Sequence, residues 1–449
     1  MSRVLLLVPG ETYRAADFME AASRLRAELG VELVVGSDAE SALGALLPGR
    51  FLRLDFGDAE RAARQIAAFT DAEPGRDLDR VVAVDDGGTL IAAHAAERLG
   101  LEGNAVAAVA ATRDKSQLRE RLAAAGLPSP RWWLLREDEE PAALAPHLDY
   151  PCVVKPLSLS GSRGVIRADE PTAFVAAAER TRRLLRRPEV ARECGLAGAD
   201  LLIEGYLPGR EVAIEGLLEP GTDGTPHLRV LAIFDKPDPL DGPYFEETIY
   251  VTPSRLPEVE QRRVVDAAER AAIALGLRQG PLHAELRLNE DGAWPIDLAA
   301  RSIGGLCARA LRFGPRKERG GTPGGGATAE PSAPVSLEEL LLRDALGGGD
   351  ATAGYERERL ASGVMMVPIP AAGVLRAVSG VAEAEAVPGI AGVSITVAPG
   401  RQLVPLPEGG EYLGFLFARG DAPAAVEEAL RTAHAALRFD IETTPPERG

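Results

Sequence analysis

Short apolar runs alternate with amphipathic helical stretches through residues 1 to about 110, and this alternation limits the fold more than any other feature of the chain. Val4–Val8, Val31–Val35, Phe51–Leu54 and Val81–Val84 read as strands, with helices over Ala15–Leu29, Ala59–Phe69 and Thr89–Leu99 between and after them. Short apolar strands joined by helices require a parallel sheet covered on both faces, because each parallel connection needs a crossover. Asp85-Asp86-Gly87-Gly88 follows a strand's carboxyl end, the side on which such sheets hold ligands; a helix cap with a turn glycine explains the same residues.

From Lys115 the pattern changes. A helix runs to about Ala125 and stops at Gly126-Leu127-Pro128, glycine then proline being a terminator. Trp132–Leu135 and Cys152–Lys155 read as strands, Ala173–Arg187 as a helix, and Leu201–Glu204, Glu211–Leu218 and Leu228–Phe234 as strands. A helix is expected over Leu256–Leu275, then a hairpin of Leu282–Leu288 and Trp294–Leu298 around Asn289-Glu290-Asp291-Gly292. Residues 316–334 are polar and glycine-rich, bury too little apolar surface to order themselves, and read as a disordered loop. Ser336–Leu346 resumes a helix. Beyond Gly363, apolar alternation with proline and glycine turns marks a β-rich C-terminal unit with a last helix over Ala422–Leu437.

At 449 residues, 46% hydrophobic and 26% charged, the chain suits about two to four globular domains rather than one core or a disordered polymer. The net charge of −17 argues against a nucleic-acid partner, and the run Arg180–Arg187 reads as the solvated side of a helix. Cys152, Cys194 and Cys307 lie far apart, without metal spacing or a disulfide framework, which suits a reducing compartment. The opening apolar run is too short for a signal core, and no stretch reaches the ~18 apolar residues of a membrane helix. A cytoplasmic location with no membrane partner is expected.

Lys155 ends the apolar run Tyr150-Pro151-Cys152-Val153-Val154-Lys155 and leads directly to Ser158-Leu159-Ser160-Gly161-Ser162-Arg163-Gly164. A strand that delivers an ammonium to a glycine- and serine-rich turn suits a polyphosphate, since glycine lets the backbone approach and successive N–H groups form an anion-binding concavity. Lys115, in Thr112-Arg113-Asp114-Lys115, is a second candidate cation. The spacing is neither that of a P-loop nor that of a Rossmann fingerprint. Leu201-Leu202-Ile203-Glu204-Gly205-Tyr206-Leu207 offers backbone groups to a purine edge, and Glu211 an acceptor for ribose hydroxyls; a β-hairpin about Pro208-Gly209 explains these residues equally. Glu285 and Asp297 stand on two adjacent short strands, and such oxygen ligands suit magnesium, which binds through a few carboxylates plus substrate phosphates. Arg301 can hold a phosphoryl group or a carboxylate in bidentate fashion. His283 reads as well as a packed hairpin histidine as an active one. The lysines, the loop and the carboxylates together read as an ATP-using enzyme, and no Ser–His–Asp or Cys–His arrangement is evident.

Taken in order, Lys115, Lys155 with its loop, Glu204–Leu207, Glu211, Glu285 and Asp297 to Arg301 resemble the ATP-grasp superfamily over residues 1 to about 315. The resemblance implies an α/β and α+β ATP-grasp fold. It comprises a pre-ATP-grasp parallel α/β domain over 1–110 and an ATP-grasp domain over 111–315, with a lid at about 130–205 and a metal-binding α+β part. The 316–334 loop and a β-rich C-terminal domain over 335–449 follow. It implies ATP phosphates at Lys115, Lys155, Ser160, Gly161, Ser162 and Gly164, and adenine at Glu204, Gly205, Tyr206 and Leu207. Ribose is implied at Glu211, and Mg2+, with Mn2+ as an alternative, at Glu285 and Asp297. Ala299 departs from the Glu-x-Asn-x-Arg of many ATP-grasp enzymes and removes an oxygen ligand, so one metal or two stays open.

The Ala299-Ala300-Arg301 form, Phe245-Glu246-Glu247-Thr248 and the added C-terminal unit look more like the L-amino-acid ligase (dipeptide synthetase) branch. By that likeness Glu247, Tyr250, His283 and Arg301 line a substrate pocket; an edge strand explains Phe245–Tyr250 too. The reaction implied is ATP-dependent ligation of a small carboxylate, on amino-acid substrates, to an amine through an acyl phosphate, with Lys155 and Arg301 as catalytic residues and no protein nucleophile. Many relatives are dimers, so a homodimer is compatible. A biotin-carboxylase-like carboxylase and a non-catalytic nucleotide-binding regulatory protein are the alternatives.

Overall fold

A computed structural model describes residues 2–10, 12–39, 49–72, 77–194, 198–221, 223–316 and 333–443. The expected loop at 316–334 lies outside these residues except for its ends. Near the N-terminus, β1 (Arg3–Leu7), β2 (Glu32–Ser37), β3 (Phe51–Arg53) and β4 (Arg80–Ala83) form the expected parallel sheet in the order β3-β2-β1-β4. The helix Ala15–Leu29 stops where Gly30 takes a left-handed φ of 70°. The helix Ala59–Asp71 starts where Asp58 accepts the Arg61 N–H, and the helix Asp86–Leu99 starts where Asp85 accepts the Asp86 N–H.

A second, antiparallel sheet joins β5 (Trp132–Leu135), β6 (Cys152–Pro156), β7 (Ile166–Ala168) and β8 (Leu201–Gly205) in the order β5-β8-β6-β7. The helix Pro171–Leu185 packs its Phe174, Ala177, Ala178 and Leu184 against it. The run Arg180–Arg187 is solvated as expected at Arg183, Arg186 and Arg187, but not throughout. Arg182 is buried and donates to the carbonyls of Glu139 (2.9 Å) and Arg136, while Arg180 pairs with Glu408 at 2.6 Å. An arginine stem is long enough to lie along apolar surface while its head group reaches carbonyls beyond it.

The remaining strands are β9 (Arg210–Pro220), β10 (Pro226–Asp235), β11 (Ile249–Thr252), β12 (Gly280–Asn289), β13 (Gly292–Ala299), β14 (Phe313–Pro315), β15 (Tyr355–Arg357), β16 (Ala361–Val367), β17 (Gly373–Ser379), β18 (Ile390–Ile395), β19 (Gln402–Leu403), β20 (Gly414–Gly420) and β21 (Arg438–Thr443). Eight of them form one antiparallel sheet, β13-β12-β9-β10-β11-β16-β20-β18. Strands from beyond residue 360 therefore extend the sheet that carries β9–β13. Tyr250 lies on β11, flanked by β10 and β16, so it is on an interior strand and not an edge.

Strand side chains alternate faces, and here the alternation separates chemistry from core. Val212, Ile214, Leu282, Ala284 and Leu286 pack on the helix Glu258–Leu275 through Val264, Ala268, Ala272 and Leu275. The intervening Glu211, Glu215, His283, Glu285 and Arg287 share the opposite face. That face continues, through Ala213, Phe234 and Tyr250, into a core holding Val4, Leu6, Phe18 and Val84 of the N-terminal unit.

A buried ion pair ties that unit to the later chain. Arg14, 1% exposed, reaches Glu338, also 1% exposed, at 3.3 Å and donates to the Val84 carbonyl at 3.0 Å. Glu338 sits in the first turn of the helix Leu337–Thr352, which Ser336 caps. Removing one partner strands a buried charge. We expect Glu338→Ala to destabilise the protein by about 3–5 kcal/mol and Glu338→Gln, which keeps an acceptor, by less, as read from urea unfolding midpoints; equal, negligible losses would contradict the pairing's weight.

Candidate active site

Every site residue expected from the sequence, Gly164 excepted, lines one cavity of about 390 Å³. The loop after β6 turns on left-handed backbone at Gly161 (φ 63°), Ser162 (56°) and Gly164 (70°). Ser162 is the one non-glycine residue with positive φ among the described residues, a cost that surrounding structure must hold in place. Ser160, Gly161 and Ser162 line the cavity. Gly164 instead donates its N–H to the Pro407 carbonyl at 2.8 Å, and a Cβ there would stand 2.8 Å from Pro156 Cγ. Its N–H is spent within the protein, so it shapes the loop rather than facing the cavity.

Lys115 opens the helix Lys115–Ala124, capped by Asp114. Its Nζ donates to the Leu159 carbonyl at 3.0 Å and lies 3.6 Å from Asp297 Oδ2. Lys155, on β6, meets Glu204, on β8, at 2.7 Å, and Arg119 reaches the same carboxylate at 2.6 Å. Burial raises the cost of ionising Glu204, yet these two cations outweigh it and bring its pKa down to about 2. Arg119, fully buried, also donates to the carbonyls of Pro295 (2.7 Å) and Ile296 (3.0 Å), tying β8 to β13. The Gly205 and Tyr206 N–H groups go to the carbonyls of Arg131 and Pro151, and Leu207's carbonyl accepts from Arg287 at 2.9 Å.

On the floor, Glu285 and Asp297 face each other across β12 and β13, at a register shift beside Glu285. Glu285 also joins Glu211 and Glu247 in a group whose carboxylate oxygens lie within 4.8 Å of one another. Lys236 sits among the three, 2.7 Å from Glu211, 3.3 Å from Glu285 and in contact with Glu247. Burial and the neighbouring Glu285 push Glu247 up to about 7, against the pull of Lys236. For Glu285, burial works the other way from Lys236 and His283, which win and hold its carboxyl well below the usual range. Lys236 already neutralises this group, so the oxygen donors that fit a hard divalent cation are the carboxylates of Glu285 and Asp297.

His283 is buried between Glu215 (3.2 Å) and Glu285 (3.4 Å). Burial disfavours its charge, but the two carboxylates push it up to about 9. Tyr250 reaches toward Glu285 at 3.5 Å, with its ring 4.9 Å from the Lys236 ammonium. Arg301 pairs with Asp86 at 2.7 Å, so the Asp85-Asp86 pair both caps a helix and lines the cavity. Ala299 lines it too.

Sequence reasoning did not single out Lys236, Arg287, Arg119 or Glu215. Arg287 had a signal: it continues the alternation His283, Glu285, Arg287 on one face of β12, and it pairs with Glu211 at 3.0 Å. Lys236 had none, because its partners lie on three other chain segments.

Residues 148–310 match the ATP-grasp domain family and residues 19–103 the ATP-grasp N-terminal domain family. The crystal structure of L-amino acid ligase from Bacillus licheniformis is similar with a TM-score of 0.75, covering 99% of both chains at 23% identity. The chain thus has the ATP-grasp fold and carries an ATP-grasp domain. Within that class, residues 365–442 match the L-amino acid ligase C-terminal domain 2. Alanine–anticapsin ligase of Bacillus subtilis is 31% identical over 225 residues, 47% of this chain and 46% of that protein. D-Alanine–D-alanine ligase of Aromatoleum aromaticum is 30% identical over 210 residues, 46% of this chain and 62% of that protein. The match spans about half the length of the first of these relatives.

Because Glu204 has a pKa depressed from 4.5 to about 2, its contribution to stability is fully present above 4.5 and is lost as pH falls toward 2. We expect Glu204→Gln to lower the melting temperature at pH 7, with the gap from wild type closing as pH falls from 4.5 toward 2. A gap independent of pH would contradict the ionised pairing.

Proposed function

We propose that the protein is an ATP-dependent carboxylate–amine ligase acting on amino acids. The observation that carries this reading is the meeting in one cavity of two lysines, a left-handed glycine–serine loop, paired carboxylates and an arginine. Lys115, Lys155 and Ser160–Ser162 take the ATP phosphates, Glu204–Leu207 the adenine and Glu211 the ribose. Glu285 and Asp297 hold Mg2+, which supplies charge neutralisation at the phosphates. Glu247, Tyr250, His283 and Arg301 receive the amino-acid substrate, whose ammonium and carboxylate suit a pocket carrying both signs of charge.

In the first step a substrate carboxylate oxygen forms a bond to the γ-phosphorus as the bond to ADP breaks, giving an acyl phosphate. An amine nitrogen then attacks the acyl carbon, phosphate leaves, and the nitrogen loses a proton. Positioning and charge neutralisation supply most of such catalysis, so no protein nucleophile is required. The lid, at about 130–205, closes over the nucleotide to keep water from the acyl phosphate. Among the described residues no helix is long and apolar enough to cross a membrane, and we place the enzyme in the cytoplasm. The relatives named above are ligases, which favours this reading over a carboxylase or a regulatory protein.

A screen of amino-acid pairs for ADP release, with product mass analysis, tests it. We expect ADP release to require amino acids and to match amide formation. Release driven by bicarbonate alone, or none with any pair, would contradict the reading. Lys155→Ala and Glu285→Ala should each lower turnover by about 10²–10³-fold with the fold intact.

A further inference from the structure

We propose that Asp86, in the N-terminal parallel-sheet unit, is a positioning residue that holds the Arg301 guanidinium for the substrate in the reaction proposed above. The inference rests on that reading for the role of Arg301; the pairing itself is geometric.

Arg301 lies just beyond β13, and its head group has two anchors. Nη1 donates to the carbonyl of Ser302 at 2.9 Å, and Nη2 meets Asp86 Oδ2 at 2.7 Å. Nε is buried with no hydrogen-bond partner. Ser302 is the next residue along, so its carbonyl moves with Arg301. Asp86 is thus the contact that ties the head group to a different part of the fold, 215 residues away. An arginine side chain carries about 2 kcal/mol of rotamer entropy, and an anchor outside its own segment removes much of that freedom before substrate arrives.

Asp86 is itself held firmly. It opens the helix Asp86–Leu99, and its N–H is taken by Asp85 Oδ1 at 2.8 Å. The other oxygen of Asp85 accepts from Thr12 Oγ1 at 2.8 Å, and Arg113 donates to the Asp86 carbonyl. Burial opposes its ionisation, but Arg301 prevails and keeps the carboxyl below its usual range. The other carboxylates acting on Arg301 are Asp85 and Asp297. Asp297 is the residue placed at the metal above. Asp86 therefore fixes the guanidinium from outside the segment that carries it.

The test compares wild type, Asp86→Asn, Asp86→Glu, Arg301→Met and the double variant Asp86→Asn/Arg301→Met. Amino-acid-dependent ADP formation gives kcat and KM, calorimetry gives MgADP affinity, and melting curves report folding. We expect Asp86→Asn to lose about 30-fold in kcat with KM for ATP and MgADP affinity changed no more than about twofold. In the Arg301→Met background the same substitution should add less than about twofold, because both act through one interaction. Should Asp86→Asn melt far below wild type, Asp86→Glu serves instead: its longer side chain displaces the guanidinium and lowers kcat at unchanged KM for ATP. A kcat for Asp86→Asn equal to or above wild type, or a loss that persists in full without Arg301, overturns the proposal. Wild type without amino-acid-dependent ADP release overturns the ligase reading, and this inference with it.

Discussion

The floor of the cavity depends on the ammonium of Lys236. Three half-buried carboxylates, those of Glu211 on β9, Glu285 on β12 and Glu247 just ahead of β11, approach within 4.8 Å of one another. At an effective dielectric constant near 20, each pair of charges at that distance repels by about 3 kcal/mol. Lys236 offsets this by touching all three, and its own burial is compensated by the same contacts. Glu247, pushed up to about 7, shares a proton with solvent near neutral pH and relieves the rest. Removing the ammonium would leave the acids to repel or protonate, and with them would go the placement of Tyr250, His283 and Arg287.

This charged face exists because the strands below it are two-sided. The helix Glu258–Leu275 covers one side of β9 and β12 with apolar contacts, leaving the alternate residues to the cavity. From the far side, the chain between β19 and β20 comes back to the loop after β6 and the helix Pro171–Leu185. Pro407 accepts from Gly164, Glu408 makes a two-pronged pair with Arg180, and a Cβ on Gly410 would run into Arg163. Gly410 and Tyr412 then line the cavity. The glycine–serine loop and this wall of the cavity are thus in direct contact.

Much of this was legible beforehand where local signals suffice. The helix Ala15–Leu29 ends as expected because Gly30 supplies the left-handed cap, and the four parallel strands were found from their apolar runs, with ends shifted by one or two residues. Lys155 and the glycine–serine loop stood out because a cation closing a buried strand is hard to explain otherwise. What escaped notice depends on pairing across strands. Lys236 is an ordinary lysine until β10 is set beside β9 and β11, and Arg119 looks like a surface residue on a polar helix although it is fully buried. Gly164 failed in the opposite direction: composition marked it as part of the loop, while its N–H is committed to a carbonyl more than two hundred residues away.

The central claim is that one pocket grips a nucleotide's polyphosphate between lysines and a divalent ion. Calorimetric titration of ADP, with and without Mg2+, tests it most directly. A single saturable site that tightens with Mg2+ and is lost in Lys155→Ala is the expected result. Heat-silent titrations of folded wild-type protein with both ADP and ATP, in the presence of Mg2+, would contradict it.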